Sequence, residues 1–225
     1  MLHISDMIED IPAPDLKAAI LARIESGAQR GVWTPRDFFD LGARDAVDKT
    51  LQRLTRAGNL RRVDRGLYDK PSLNSLIQKI NPPDPRHVID AIARRDQIRV
   101  LVDGMTAAND LGLTNAVPAK IIVHTDARLK SISLGQLEIT FKPTAASKLY
   151  WAGRPGMRIV QALHWLRDTM GQVDEDELLI RRLKTILHHP DDGKNLRKDL
   201  LEGLSTLPTW MQKFLRPLLK VRAGT

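Results

Sequence analysis

Residues 31–71, GVWTPRDFFDLGARDAVDKTLQRLTRAGNLRRVDRGLYDKP, decide the fold of this chain. The segment contains a helix start: Thr34 offers a capping hydroxyl, Pro35 takes the first helical position, and Asp37 lies in the first turn. Gly42 then interrupts the helix. The opening of the segment therefore predicts a short helix followed by a tight turn.

A second short helix is predicted to begin at about Arg44. Val47, Leu51 and Leu54 recur at i, i+4 and i+7, which places them on one apolar stripe. Gly58 is suited to end the helix, because glycine readily adopts the left-handed conformation found at helix C-termini. On a wheel of about 100° per residue, the side chains that point away from the stripe are Asp45, Lys49, Gln52 and Arg56, with Arg44, Asp48 and Arg53 on its flanks.

A basic hairpin is predicted after the second helix. Residues 60–63 and 67–68 have strand character and flank Asp64-Arg65-Gly66, a turn signal with arginine at its tip. From residue 44 to residue 70 there are eight Lys or Arg side chains and four Asp side chains, a balance of +4. Arginine pairs with phosphate and recognises guanine edges in bidentate fashion, so the charge favours nucleic acid.

Helix, glycine turn, helix and basic hairpin in this order predict a winged helix-turn-helix that binds double-stranded DNA. The N-terminal end of the second helix would enter the major groove, and the hairpin, or wing, would lie over the backbone or an adjacent groove. The expected base-edge contacts are Arg44, Lys49 and Gln52. The expected phosphate or minor-groove contacts are Arg36, Arg53, Arg61, Arg62 and Arg65. The simpler alternative is a solvated charged helix beside an ordinary hairpin.

The same segment resembles the N-terminal domain of AbiEi-type antitoxins, which belong to type IV, abortive-infection toxin–antitoxin systems. The residues that carry the resemblance are Asp37-Phe38, Leu41-Gly42, Arg44, Val47-Asp48-Lys49, Leu51, Arg53-Leu54, Gly58, Arg61-Arg62-Val63, Arg65-Gly66-Leu67-Tyr68 and Pro71. Ala43 departs from the family pattern, where a serine cap is usual, and the loss of that cap costs on the order of 1 kcal/mol. Less specific matches continue the resemblance over most of residues 15–170: Ala107-Ala108-Asn109, Leu111-Gly112-Leu113, Val117-Pro118-Ala119-Lys120, Thr125-Asp126, Lys148-Leu149 and Gln161-Ala162-Leu163.

The resemblance implies two roles, one in transcriptional repression and one in neutralising a toxin. The protein would bind inverted repeats in operator DNA and repress its own bicistronic operon. It would also counter a partner toxin that looks like a nucleotidyltransferase, without forming a tight complex with it, and the second domain is implicated in that step.

The composition of the chain is compatible with a DNA-binding protein and argues against thiolate chemistry, secretion and membrane insertion. The chain has 225 residues, 42% hydrophobic content and a formal net charge of +8, which favours a polyanionic partner. The absence of cysteine rules out disulfides and thiolate chemistry and suits the cytoplasm. The N-terminus lacks the pattern of a signal peptide, and no apolar run approaches the roughly 18 residues of a membrane span, so neither secretion nor membrane insertion is expected.

The rest of the sequence predicts an α+β protein of two domains. A helix is expected over residues 15–26, ended by Gly27, and a short helix is expected over residues 73–80. The proline-rich segment at residues 81–85 marks the boundary between a DNA-binding domain, residues 1–80, and an α+β effector domain, residues 86–225. The effector domain should hold a small, mostly antiparallel sheet with a helical cover. Its expected helices are a helix carrying Val88, Ile89 and Ile92, then residues 103–111, 155–170, 174–188, 196–204 and 208–219; its strands are residues 98–102, 119–124, 131–134 and 137–141.

No catalytic, metal or cofactor site is predicted. His188-His189 diverge by about 100° on a helix and lack a third ligand at i+4, so a helix end is the better interpretation. The cations Arg128, Lys130, Lys142, Lys148 and Arg154 gather around the predicted sheet hairpin and either guard its edge or face a partner. Two rival functions stay open: a winged-helix transcription factor whose second domain senses a ligand, and an enzyme that carries the winged helix as an accessory module.

Overall fold

The computed structural model describes residues 15–27, 31–76, 78–170 and 176–220. The chain divides into two compact units, Met1–Asp96 and Gln97–Thr225. Both contain helices and small sheets, which confirms the α+β class. Among the described residues no helix is long and apolar enough to cross a membrane.

The described part of the first unit contains α1 (Leu16–Ser26) and β1 (Val32–Trp33), followed by a 3-10 turn (Pro35–Phe38) and α2 (Arg44–Arg56). The Asp15 carboxylate caps α1 by accepting a hydrogen bond from the Lys17 amide at 3.1 Å. The core of the unit joins α1, β1, the 3-10 turn and α2 through Ile20, Ile24, Trp33, Phe38, Val47, Leu51, Leu54 and Leu60. The apolar side chains of α1 and the stripe predicted for α2 therefore face the same core.

The first helix of the predicted pair is shorter than a full α-helix. It is a single 3-10 turn, and the Asp37 carboxylate accepts hydrogen bonds from the Thr34 amide at 2.7 Å and the Thr34 hydroxyl at 3.0 Å. Arg23 of α1 binds the turn through its guanidinium. The guanidinium donates to the Asp37 carbonyl at 2.8 Å and to both carboxylate oxygens of Asp40 at 2.5 and 2.6 Å. The hydrogen bonds from Arg23 hold the pKa of Asp40 below its usual value, against an opposing effect of desolvation. The turn is thus held in place relative to α1 by side-chain bonds as well as by the core.

The hairpin after α2 consists of β2 (Arg61–Asp64) and β3 (Leu67–Asp69), as the turn signal predicts. Gly58 ends α2 in the left-handed conformation, with φ +76°. β1 pairs with the outer side of β3, so the sheet has the order β1-β3-β2 with antiparallel neighbours. The sequence pattern does not predict β1, because a strand of two residues is too short to show an alternation.

The helix predicted over residues 73–80 is wrong. The segment forms a hairpin of β4 (Leu73–Asn74) and β5 (Lys79–Ile80), in which Leu73 pairs with Ile80 and Asn74 with Lys79. Turn chemistry overrides the helical pattern here: the Asn74 side chain accepts a hydrogen bond from the Leu76 amide at 3.0 Å, and Gln78 adopts the left-handed φ of +51°.

The first unit extends beyond the proline-rich segment that the sequence places at the domain boundary. α3 (Pro85–Asp96) packs against β1 and β3, and its buried face consists of Val88, Ile89, Ala91 and Ile92. The compact unit accordingly runs to Asp96. The sequence prediction, in contrast, ends the first domain at residue 80. A proline-rich segment breaks regular structure, but it does not prevent the helix after it from folding back onto the same core.

The second unit is built on a sheet with the order β6-β7-β9-β8, formed by β6 (Val100–Val102), β7 (Lys120–Thr125), β8 (Ile132–Leu134) and β9 (Leu137–Pro143). β7 and β9 are parallel, and the other neighbours are antiparallel, which confirms the mostly antiparallel prediction. Gly135, with φ +69°, turns the predicted hairpin between β8 and β9.

Helices complete the second unit. α4 (Gly104–Asp110) packs on α5 (Met157–Met170), and the Asp103 carboxylate joins α4 to β7 by accepting from the Thr106 amide at 3.0 Å and the Ile122 amide at 2.9 Å. α6 (Glu177–Leu187), α7 (Gly193–Gly203) and α8 (Thr209–Leu219) pack on one another. The predicted start of α6 at residue 174 lies outside the described residues.

Candidate nucleic-acid interface

α2 has one buried apolar face and one exposed polar face. Val47 and Leu51 are 0% exposed and Leu54 is 1% exposed, so the apolar stripe belongs to the core. The opposite face is exposed along the whole helix and carries Arg44, Asp45, Asp48, Lys49, Gln52, Arg53 and Arg56. Every residue that the sequence assigns to DNA contact on this helix is therefore accessible.

Arg44 at the N-terminus of α2 has a weak intramolecular partner. Its Nε lies 3.9 Å from the Asp48 carboxylate one turn later, and the two side chains are 79% and 49% exposed. An ion pair this exposed contributes at most about 1 kcal/mol and is screened by salt. A phosphate or a guanine edge can replace Asp48 as the partner of Arg44 at little cost.

The β2–β3 hairpin presents two exposed arginines, Arg62 and Arg65. Asp64 and Leu67 are paired across the turn, and Gly66 has φ +66°, a conformation that favours glycine. A register irregularity lies between Arg62 and Asp64, where the two strands come out of step. Within β2, the Arg62 side chain makes a long hydrogen bond, 3.4 Å from its Nε to the Asp64 carbonyl.

Arg61 is different from Arg62, although the two are neighbours on β2. Its guanidinium forms a fork with both carboxylate oxygens of Asp69 and donates to the Asn81 carbonyl at 2.9 Å. The Asp69 side chain is 7% exposed and the Arg61 side chain 29% exposed, so the pair is largely removed from water. Arg61 ties β2 to β3 and to the proline-rich segment, and its predicted role as a phosphate contact does not fit this placement.

The remaining predicted contacts lie on the surface. Arg36 is exposed in the 3-10 turn ahead of α2, and Arg53 is exposed in the last turn of α2. Seven of the eight predicted residues are thus exposed in the first unit: Arg36, Arg44, Lys49, Gln52, Arg53, Arg62 and Arg65.

Two further arginines support this surface and were not predicted. Arg94 of α3 donates to the Val32 carbonyl at 3.1 Å and lies 3.7 Å from the Asp37 carboxylate, beside the 3-10 turn. Arg95 donates to the Arg65 carbonyl at the hairpin tip, at 2.5 Å. Their position near a helix C-terminus is the only sequence signal they carry, and it favours any cation. Spacing alone does not indicate contacts to segments this far away in the chain.

In the part of the chain that the structure describes, no group of three or more His, Asp or Glu side chains could hold a metal ion. His189 and Asp191 approach only to 4.0 Å and are exposed. Arg154, one of the cations predicted around the sheet hairpin, is instead a packing residue: it pairs with Asp199 at 2.8 Å and stacks over Tyr150 and Trp151.

A groove with a volume of about 1370 Å³ lies between α6 and α8 in the second unit. The apolar part of its lining consists of Ile180, Trp210, Phe214, Pro217 and Leu218. Lys184, Lys213, Lys220 and His188 also line it, so its charge favours an anionic occupant.

The chain is therefore an α+β protein whose first unit presents a basic helix and a basic hairpin. It belongs to a family of unknown function, DUF6088, whose model matches residues 19–196 and so covers most of both units. No curated protein matches the chain.

Proposed function

We propose that the first unit is a winged helix-turn-helix that binds double-stranded DNA. The order of elements supports this: a helix, a strand, a short helical turn, a second helix, then a hairpin to which the first strand is added. The observation that carries the proposal is the two-faced α2, whose buried stripe anchors it to the core while its whole outer face is polar and accessible. An exposed helix of this kind, beside an arginine-tipped hairpin, fits the major groove and the flanking backbone.

The roles follow from placement. Arg44, Lys49 and Gln52 would meet base edges, because the N-terminal half of a recognition helix enters the groove. Arg36, Arg53, Arg62 and Arg65 would contact phosphates or the minor groove. Arg61 is removed from this set because Asp69 occupies its guanidinium.

The whole chain, in this proposal, is an antitoxin of the AbiEi type that acts in the cytoplasm. It represses its own operon by binding inverted repeats and counters a nucleotidyltransferase-like toxin without a tight complex. The support is the resemblance of the α2–hairpin segment and of scattered second-unit residues to that family. Membership in a family of unknown function neither adds to this support nor reduces it.

DNA binding is tested by anisotropy with the promoter DNA of the chain's own operon, over a salt series. Log K should fall linearly with log salt, at a slope of about −0.9 for each phosphate neutralised. Lys49→Ala should weaken binding, whereas Arg99→Ala, which removes an exposed cation paired with Asp126 in the second unit, should not. Affinity that does not change between low and physiological salt would contradict the proposal.

The antitoxin role is tested by co-expression with the nucleotidyltransferase-like protein encoded beside this gene. Growth should be restored by the full chain and should survive Lys49→Ala when both genes are under a foreign promoter, because neutralisation is assigned to the second unit. Growth arrest that persists with the full chain, or the absence of such a neighbouring gene, counts against the antitoxin role and leaves DNA binding standing.

The α6–α8 groove favours a second candidate, a transcription factor that senses a ligand through its second unit. An apolar groove lined by lysines suits an amphipathic anion. Decanoate and tetradecanoate are suitable probes, since Trp210 lines the groove and would report binding by fluorescence. A rise in melting temperature together with a change in operator affinity supports the sensor. Saturating probe that changes neither contradicts it for this ligand class.

A further inference from the structure

We infer that Arg95 is a positioning residue that holds the tip of the β2–β3 hairpin for contact with DNA. Arg95 lies in the last turn of α3, thirty residues from Arg65 in sequence, and its Nη1 donates to the Arg65 carbonyl at 2.5 Å. The inference rests on the proposed DNA binding, because it assigns a purpose to the held geometry. It goes beyond that proposal by naming a residue outside the helix-turn-helix segment.

The guanidinium of Arg95 is itself oriented. Its Nε and Nη2 donate to the two carboxylate oxygens of Asp96 at 2.8 and 2.7 Å, which leaves Nη1 directed at the hairpin. The Arg95 and Asp96 side chains are 23% and 28% exposed, so both are mostly withdrawn from solvent. The bond to Asp96, reinforced by the charges of Asp96 and Asp64, raises the pKa of Arg95 against an opposing desolvation effect. The bonds to Asp96 and to the Arg65 carbonyl together fix the orientation of the Arg95 guanidinium.

The hairpin tip needs such a support. The β2–β3 register is irregular between Arg62 and Asp64, so the regular pairing of the strands is interrupted close to the turn. A short hairpin has little stability of its own. On the far side of the turn, a Cβ built on Gly66 would lie 3.7 Å from the Arg95 Cδ, which places the stem of Arg95 against the turn as well. One side chain thus contacts the tip through both its stem and its charged end.

Arg95 could instead be a phosphate contact in its own right, and a conservative variant separates the two roles. Lysine keeps the charge but cannot form the fork to Asp96 and the bond to Arg65 together. A phosphate contact would be largely restored in Arg95→Lys. A positioning role would be lost in Arg95→Lys nearly as much as in Arg95→Ala.

The experiment measures hairpin mobility and DNA affinity on the same full-length proteins. In Arg95→Ala and Arg95→Lys, the ¹⁵N order parameters of Arg65 and Gly66 should fall, and operator affinity should drop about tenfold, the equivalent of one charged hydrogen bond. Arg86→Ala, which removes a cation from the first turn of the same helix, is the control and should change neither quantity.

A double-mutant cycle with Arg65→Ala completes the test. If Arg95 acts through the hairpin tip, Arg95→Ala should cost little further affinity once the Arg65 side chain is gone. Unchanged order parameters in Arg95→Ala overturn the inference whatever happens to DNA affinity. If the order parameters fall but operator affinity does not change, Arg95 does not act on DNA contact. That outcome also removes the hairpin from the proposed interface and leaves α2 in it.

Discussion

Arg61 and Arg62 are adjacent arginines on one strand, and we expect their replacement by alanine to have opposite consequences. Arg61→Ala removes the forked bond to Asp69 and the 2.9 Å bond to the Asn81 carbonyl. It leaves the Asp69 carboxylate, 7% exposed, without its cation. Removal of one partner from a buried pair costs about 3 to 5 kcal/mol. Because water reaches part of Arg61, we expect a loss of about 3 kcal/mol from the first unit.

Arg62→Ala is the matched control, since it removes the same side chain from the next position. Its guanidinium makes one long bond and is exposed, so the change in stability should stay within about 0.5 kcal/mol. Operator affinity should fall, and the slope of log K against log salt should become shallower by about 0.9, the value of one phosphate contact.

The assay combines native-state hydrogen exchange of the β2 and β3 amides, which reports the opening free energy of the first unit, with the salt series on operator DNA. Arg61→Ala should accelerate exchange and leave the salt slope unchanged at a temperature where the unit is folded. Equal stability of Arg61→Ala and the parent chain, together with a slope reduced as in Arg62→Ala, would refute the reasoning. Arg61 would then be a DNA contact and Asp69 only an incidental partner.

Three further results are expected. Arg44→Ala should lose discrimination between operator and scrambled DNA, by about 1 to 3 kcal/mol if Arg44 pairs with a guanine, and equal losses on both DNAs would remove it from the base contacts. A fragment of residues 1–96 should bind operator DNA in a gel shift. A fragment of residues 1–80 should bind far more weakly, because it lacks α3 and the Asn81 carbonyl. Equal binding by the two fragments would contradict a role for α3. Burial, with a further contribution from Lys142, lowers the pKa of His124, so the unfolded chain binds the proton more tightly than the folded one. The contribution of His124 to the stability of the second unit should therefore be fully present above the ordinary histidine pKa of about 6.5 and be lost as the pH drops through the lowered value. Urea midpoints measured against pH should decline less in His124→Gln than in the parent chain. An identical decline would exclude His124 as a cause of the pH dependence.

The sequence alone determined the elements whose signals are local. The stripe of Val47, Leu51 and Leu54 defines α2, because a period of 3.6 residues is a property of neighbouring positions. The turns at Gly66 and Gly135 were equally predictable, since both need a left-handed backbone that favours glycine. Periodicity also predicts α3 of the first unit and α4 to α8 of the second unit, and turn chemistry predicts the strand hairpin that Gly135 joins.

Only the tertiary structure decided which partners these elements chose. Arg61 and Arg62 have the same chemistry and adjacent positions, and strand register alone places one against Asp69 and leaves the other on the surface. β1 exists because β3 offers it an edge, and α3 joins the first unit because its apolar face meets the same sheet. Local pattern does not encode the contact between Arg95 and Arg65, because thirty residues separate them and packing of the whole unit brings them together.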